Sequence, residues 1–270
     1  MTARRPDIRM VAVDMDCTFL RDDHSYDRPR FERLRAQMDA AGVRFVVASG
    51  THVERLRNSF DHPDELAFVA DNGAHVIDRG EEVYVAHLPD ADAARIIDAF
   101  EAHPDLAILG SGPERVYVTP SVSDDHFAML RVVMPNARRV DSLHEVRGQV
   151  NKFAALDPNG LSEALAPSLL EALGGLVVPV TSGHLSMDFI LPGVHKASGL
   201  LRLMDRWGLE RAQVAAFGDS ANDIEMLQLA GHGFAMLNAT PEVKDAADAV
   251  VASNNDDGVL EQLSIWFGED

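Results

Sequence analysis

The chain has 270 residues, room for about two domains at roughly 150 residues each, with 46% hydrophobic and 25% charged residues as in an ordinary soluble globular protein. Its net charge of -19, with no dense Lys/Arg cluster, argues against nucleic acid or an anionic membrane surface as a partner. The apolar run after Arg4-Arg5 reaches Asp14 too soon for a signal-peptide core or a membrane span, and Cys17 is the sole cysteine, so no intrachain disulfide can form; a cytoplasmic protein is expected, monomeric or weakly homo-oligomeric.

Val11-Ala12-Val13 is the first predicted strand, and it runs into Asp14, Asp16 and Thr18. A polar loop follows, then a crossover helix over 29–41 with Phe31, Leu34, Met38 and Ala41 at helical spacing and Gly42 as its stop. Strands are expected over 43–48 and 66–70, and between them a helix over 52–60 with Thr51 as N-cap. This alternation predicts right-handed βαβ units and a parallel sheet covered by helices on both faces. Then the rhythm changes: 75–78 and 82–85 read as a hairpin for which the parallel sheet has no topological use.

A second, α+β domain is therefore expected as an insertion, giving a Rossmann-like core of residues 1–82 and 188–270 around a cap of residues 83–187. The cap's helices are placed at 90–103, 124–134 and 161–173, and its strands at 106–109, 116–119, 150–156, 176–180 and 187–191. Beyond Pro192-Gly193 the alternation resumes, with helices over 196–207 and 221–230, strands over 214–217, 233–236 and 249–252, and a closing helix.

Four pieces at predicted strand or helix ends carry the chemistry. Taken alone, Asp14-x-Asp16-x-Thr18 reads simply as an acidic turn after a strand, Ser49 before a helix as a cap, and Lys196 as a solvated lysine. Gly218-Asp219-x-x-Asn222-Asp223 after a buried strand is harder to explain as surface. In an open parallel sheet ligands bind outside the carboxyl ends of the strands, where Asp14, Ser49-Gly50 and Asp219 would converge.

With these motifs, and with Asn72-Gly73-Ala74, Pro192-Gly193-Val194-His195-Lys196 and Phe234-Ala235-Met236, the chain resembles the haloacid dehalogenase-like hydrolase superfamily over essentially its whole length, and within it the Cof-type sugar phosphatases. The resemblance implies an α/β fold with a Rossmann-like core and an inserted C2B-type cap. It implies a phosphatase hydrolysing small phosphorylated metabolites, expected to be sugar phosphates, with Mg2+ as cofactor. Asp14 would be the nucleophile that forms an aspartyl-phosphate, and Asp16 the acid/base. The ion would be held by Asp14, the backbone carbonyl of Asp16, and Asp219, with Asp223 orienting ligands from behind. Thr18, Ser49, Gly50, Lys196 and Asn222 would serve the phosphate. Asp188 is assigned to sugar hydroxyls, among the cap candidates His184, Met187, Tyr117 and Arg115. Three departures stand out: Cys17 where the family usually has glycine, expected to be a half-buried loop residue, Thr51 where many Cof-type members have arginine, and Ala221 at a variable position. A phosphomutase of the same superfamily and a non-catalytic sensor of phosphorylated metabolites are the competing readings, and the intact set of Asp14, Asp16, Lys196 and Asp219 argues against the sensor.

Overall fold

In the computed structural model, which describes residues 6–103, 106–156, 162–181 and 186–268, the chain builds two sheets. The first begins with β1 (Met10–Val13), α1 (Arg28–Ala40), β2 (Arg44–Ala48), α2 (Val53–Asn58) and β3 (Ala67–Ala70), followed by β4 (His75–Asp78) and β5 (Glu81–Val85). The second comprises α3 (Asp90–Glu101), β6 (Ala107–Ser111), β7 (Val116–Val118), α4 (Asp124–Val133), β8 (Arg138–Arg139), β9 (Lys152–Leu156), α5 (Ser162–Leu173), β10 (Val178–Thr181) and β11 (Ser186–Ile190). The chain then returns to the first sheet through α6 (Lys196–Trp207), β12 (Val214–Gly218), α7 (Ile224–Leu229), β13 (His232–Met236), α8 (Pro241–Ala246), β14 (Ala249–Val251) and α9 (Gly258–Phe267).

The core sheet has the order β14-β13-β12-β1-β2-β3-β4-β5, parallel from β14 to β3. Its central strands are uninterrupted apolar runs because both faces are covered: all four residues of β1 and all five of β12 are buried. From β1 the chain builds outward to β2 and β3 on one side and later to β12, β13 and β14 on the other. That reversal of strand order opens a crevice at the carboxyl end of β1, where Asp14 stands.

Three expectations change here. The β4–β5 hairpin does join the core sheet, pairing antiparallel with β3 as its edge, because a tight turn lets β4 fold straight back along β3. A cut at 82/83 therefore falls inside β5, and a cut at 187/188 falls inside β11, a strand of the second sheet. The chain crosses between the sheets just after β5 and just after β11, where Ala74, Ala86 and Val194 form a small apolar cluster with Tyr84 and Leu191. Thirdly, α2 is capped by His52, whose side chain accepts the Glu54 amide at 3.2 Å, and not by Thr51.

The cap sheet runs β10-β11-β9-β6-β7-β8, antiparallel except for the β7–β8 pair. One core of this unit centres on Phe100, Phe153 and Phe189, with ring centroids 4.9 and 5.5 Å from Phe100. A smaller cluster around Leu109 and Val118 meets Phe127 and Leu130 of α4. Of the residues expected on the cap, His184 lies outside the described ones.

Candidate active site

After β1 the backbone makes a wide turn over Met15–Phe19, closed by bonds from Phe19 N to Asp14 O (3.2 Å) and Leu20 N to Met15 O (2.8 Å). Cys17 occupies the left-handed region of that turn (φ 60°), where a side chain is strained and glycine is not. This is the physical basis of the glycine that the resemblance leads one to expect. Cys17 is exposed and not half-buried, and partial desolvation, with Asp219, Asp16, Asp22 and Asp14 around it, pushes its thiol up to about 11, so it is no thiolate at neutral pH.

Asp14 is buried, and its Oδ1 accepts a hydrogen bond from Lys196 Nζ at 2.6 Å. The same ammonium donates to Asp223 Oδ1, also at 2.6 Å. Lys196 opens α6 and is aimed by the residue before it: His195 caps the helix by accepting the Ser198 amide, while Ser198 Oγ accepts the His195 amide. Burial works against the charge on Lys196, yet the two carboxylates hold its pKa above the ordinary lysine value.

The β12 end supplies the rest. Asp223 Oδ2 accepts the amides of Asp219 (3.0 Å) and Ser220 (3.1 Å), so the loop folds back over Gly218, where a Cβ would lie 2.4 Å from that of Asp223. Only glycine fits there. Thr18 donates its hydroxyl to Asp219 Oδ1 at 2.8 Å, which commits it to the carboxylate cluster. Carboxylate oxygens of Asp14, Asp219 and Asp223 lie within 4.8 Å of one another, a group that could hold a metal ion. Burial, reinforced by the neighbouring carboxylates, drives Asp14 well above the usual range, and burial with Asp223 pushes Asp219 up to about 6.

Asp16 stands apart from this cluster at the mouth. Its Oδ1 accepts no hydrogen bond, with His24 Nδ1 and an Arg55 guanidinium nitrogen at 3.5 and 3.6 Å. Ser49 is buried and its Oγ accepts the Thr51 amide at 3.1 Å, leaving its hydroxyl hydrogen free to donate. Asn222 turns its amide donor to Asn72 Oδ1 (3.0 Å), and Asn72 Nδ2 in turn donates to Asp188 Oδ2 (2.8 Å).

Asp188 is therefore buried and engaged within the protein, beside Gly50, where a Cβ would lie 3.1 Å from its Oδ2. Tyr117 is buried too, its hydroxyl 2.5 Å from Gln149 Oε1, while Arg115 is half-exposed near Glu114. Sequence reasoning missed Lys152, whose Nζ reaches Gly50 O (2.5 Å), Asp71 Oδ1 (3.2 Å) and Asp188 Oδ2 (3.3 Å). The one signal for it is a lysine at the head of an otherwise apolar strand.

The profile of the haloacid dehalogenase-like hydrolases matches residues 11–263. The chain belongs to this family. A relative from Escherichia coli, the 5-amino-6-(5-phospho-D-ribitylamino)uracil phosphatase YbjI, is 38% identical over 257 residues, 95% of each chain. A second relative of the same named activity, YitU of Bacillus subtilis, is 27% identical over 96% of this chain and 97% of its own. Among solved structures, SMU.1108c from Streptococcus mutans UA159 superimposes with a TM-score of 0.88 at 33% identity, over 97% of this chain and all of its own. A subclass IIB sugar phosphatase shares the fold at a TM-score of 0.78 and 20% identity, over 95% and 98% of the two chains. This haloacid dehalogenase-like hydrolase is a phosphatase of small phosphorylated metabolites, a phosphoric monoester hydrolase with a Rossmann-like core and an α+β cap.

Proposed function

We propose that Asp14, Asp16, Lys196 and Asp219 are the machinery of a Mg2+-dependent phosphatase whose substrates are phosphate monoesters of sugars and polyols. One observation carries the reading: Lys196 Nζ bridges Asp14 and Asp223 in a buried site where three carboxylates converge. One ammonium does not balance three carboxylates, and burial, with the neighbouring carboxylates adding to it, raises the pKa of Asp14 and Asp219. A hard divalent cation with oxygen ligands fits that donor set. Asp14, Asp219 and the backbone carbonyl of Asp16 would hold it, and Asp223, with both oxygens already committed, would orient Lys196 and the Asp219 loop. When bound, the ion neutralises the phosphoryl oxygens and keeps Asp14 anionic.

Phosphate-ester hydrolysis is among the slowest uncatalysed reactions, with enzymatic accelerations up to about 10²¹-fold, so several groups must act together. Asp14 attacks phosphorus as the ester P–O bond breaks, leaving an aspartyl-phosphate. Asp16 gives its proton to the departing alcohol oxygen, then takes one from the water that attacks the phosphorus and frees Asp14. The Asp16 side chain is 43% exposed, and its Oδ1 accepts no hydrogen bond within the protein, which supports this exchange. The Ser49 hydroxyl, the Gly50 amide and Lys196 bind the phosphoryl oxygens.

The substrate named for the relatives YbjI and YitU is a phosphate ester at the end of a polyol chain, which falls in the proposed class. On this reading the chain acts on free metabolites in the cytoplasm, as a monomer or weak homo-oligomer, and its net charge of -19 supports the exclusion of nucleic acid. Phosphate release from sugar, polyol and nucleotide phosphates with Mg2+ tests it. Polyol and sugar esters should lead the ranking. A preference for nucleotides would refute the substrate class, and isomerisation of a hexose phosphate without phosphate release would make the chain a mutase.

A further inference from the structure

The loop after β2 has its three successive carbonyls tied down, and the ties come from two different domains. Asn72 N donates to Ser49 O at 3.0 Å and Asp71 N to Thr51 O at 3.2 Å, both from the turn after β3. The middle carbonyl, Gly50 O, accepts instead from Lys152 Nζ at 2.5 Å, and Lys152 opens the cap strand β9. Glycine is the freest joint a chain can contain. Here the peptide before it is held by the core and the peptide after it by the cap.

The surroundings are built for that contact. Lys152 is buried and flanked by Asp188 of β11 and Asp71 of the core, and Asp71 also accepts the Ser111 hydroxyl at 2.8 Å. Asp71 and Asn72 are consecutive non-glycine residues in the left-handed region (φ 50° and 55°), which Asp and Asn tolerate but as a rule singly. Asn72 then links Asp188 to Asn222 of the Asp219 loop, so the same junction touches both phosphate-site loops.

We propose that Lys152 is a positioning residue of the reaction: when the cap seats on the core, its ammonium fixes the Gly50 carbonyl, and thereby the Ser49-Gly50 donors that meet the phosphoryl group. The inference rests on the reading of Ser49-Gly50 as a phosphate-binding loop. Asp188 holds the ammonium in place, so its effect on catalysis runs through Lys152 and is the same for every substrate. When the cap lifts, Lys152, Asp71 and Asp188 can each return to water, so a charged junction can part where an apolar one would cling.

The test measures kcat and KM of Lys152→Ala, Asp188→Asn and Ser49→Ala with Mg2+ present, on p-nitrophenyl phosphate and on a ribityl phosphate ester. Because misplacement by about 1 Å can cost roughly 100-fold in rate, Lys152→Ala is expected to lose kcat on that order for both esters at nearly constant KM. Ethylammonium, which fits the space the side chain leaves, should restore part of that kcat. Asp188→Asn, nearly isosteric and expected to fold, should lose kcat in the same direction by less. A Lys152→Ala enzyme with intact kcat and only a lower melting temperature overturns the proposal, as does a loss confined to KM of the larger ester. If Ser49→Ala leaves catalysis untouched, the phosphate-loop reading itself has failed; if Ser49→Ala is slow and Lys152→Ala is not, only the role of Lys152 has.

Discussion

Replacing Lys196 by methionine keeps most of the unbranched side chain and removes its charge, which brings out the electrostatic role. The side chain is 1% exposed and makes two ion pairs of 2.6 Å, to Asp14 and Asp223. Removing one partner of a buried pair typically costs about 3–5 kcal/mol, because the remaining charge stays buried without compensation. At roughly 2–4 °C per kcal/mol for a chain of this size, the melting temperature in EDTA should fall on the order of 10 °C. Mg2+ brings positive charge back to the same carboxylates, so the fall should be smaller with the ion present. Activity should drop by roughly 10²–10³-fold for every substrate alike, the loss usual for one donor aimed at transition-state charge. Calorimetry with and without Mg2+, together with kcat/KM on several sugar phosphates, checks both parts. A melting temperature within about 2 °C of wild type in EDTA, or a loss that depends on which sugar carries the phosphate, would refute the assignment.

Asp14→Asn should abolish phosphate release and yet raise the metal-free melting temperature, since it removes a carboxylate whose burial opposes ionisation while Lys196 keeps Asp223 as its partner; residual turnover near wild type would end its role as nucleophile. Asp219 sits near 6 in the folded protein against an ordinary 3.8, so between those values the native state binds the extra proton and metal-free stability falls as pH rises through this window. The stabilisation by Mg2+ should accordingly be larger at about pH 7 than at about pH 5, and thermal melts showing an equal shift at both would contradict it. Cys17→Gly relieves a left-handed residue strained by roughly 1–2 kcal/mol, offset in part by the added freedom of the unfolded chain. It should melt about 1–3 °C higher, whereas Cys17→Ala, which keeps the Cβ, should gain nothing, and equal behaviour of the two would exclude backbone strain as the cause.

What the sequence made legible follows from where each signal resides. The helix over 196–207 and the strands before Asp14 and Asp219 announce themselves through apolar periodicity and through acid placed directly at a strand end. Local pattern also revealed the β4–β5 hairpin, but a hairpin does not state its third partner, and only the pairing of β4 with β3 assigns it to the core sheet. The cap of α2 departs from the local rule, in which a hydroxyl is the commoner choice. His52 takes that place with Nδ1 while its Nε2 lies 2.9 Å from Gly112 O of the cap, a contact that no local rule anticipates. Two further elements, β8 with two residues and α8 with six, are too short to show a period.

The junction between core and cap is illegible for a different reason, and the reason bears on specificity. Lys152 meets Gly50 across 102 positions of sequence and Asp188 across 36, so neither charge carries a local sign of its partner. Read singly, a lysine at a strand start is solvated and an acid on a cap strand is a sugar ligand. Together with Asp71 Oδ1 they pair with one another in the interior, as buried charges tend to, and Asp188 Oδ2 is occupied by Asn72 and Lys152 before any substrate arrives. A side chain that ranks substrates must be within their reach, and Asp188 is only 3% exposed. Discrimination among phosphate esters should therefore reside in the less buried cap residues, Arg115 and Met187 among those named from the sequence, while Asp188 should act on all substrates equally. Measuring kcat/KM for Arg115→Ala and Asp188→Ala over one panel of esters separates the two roles, and a changed ranking for Asp188→Ala with none for Arg115→Ala would reverse the argument.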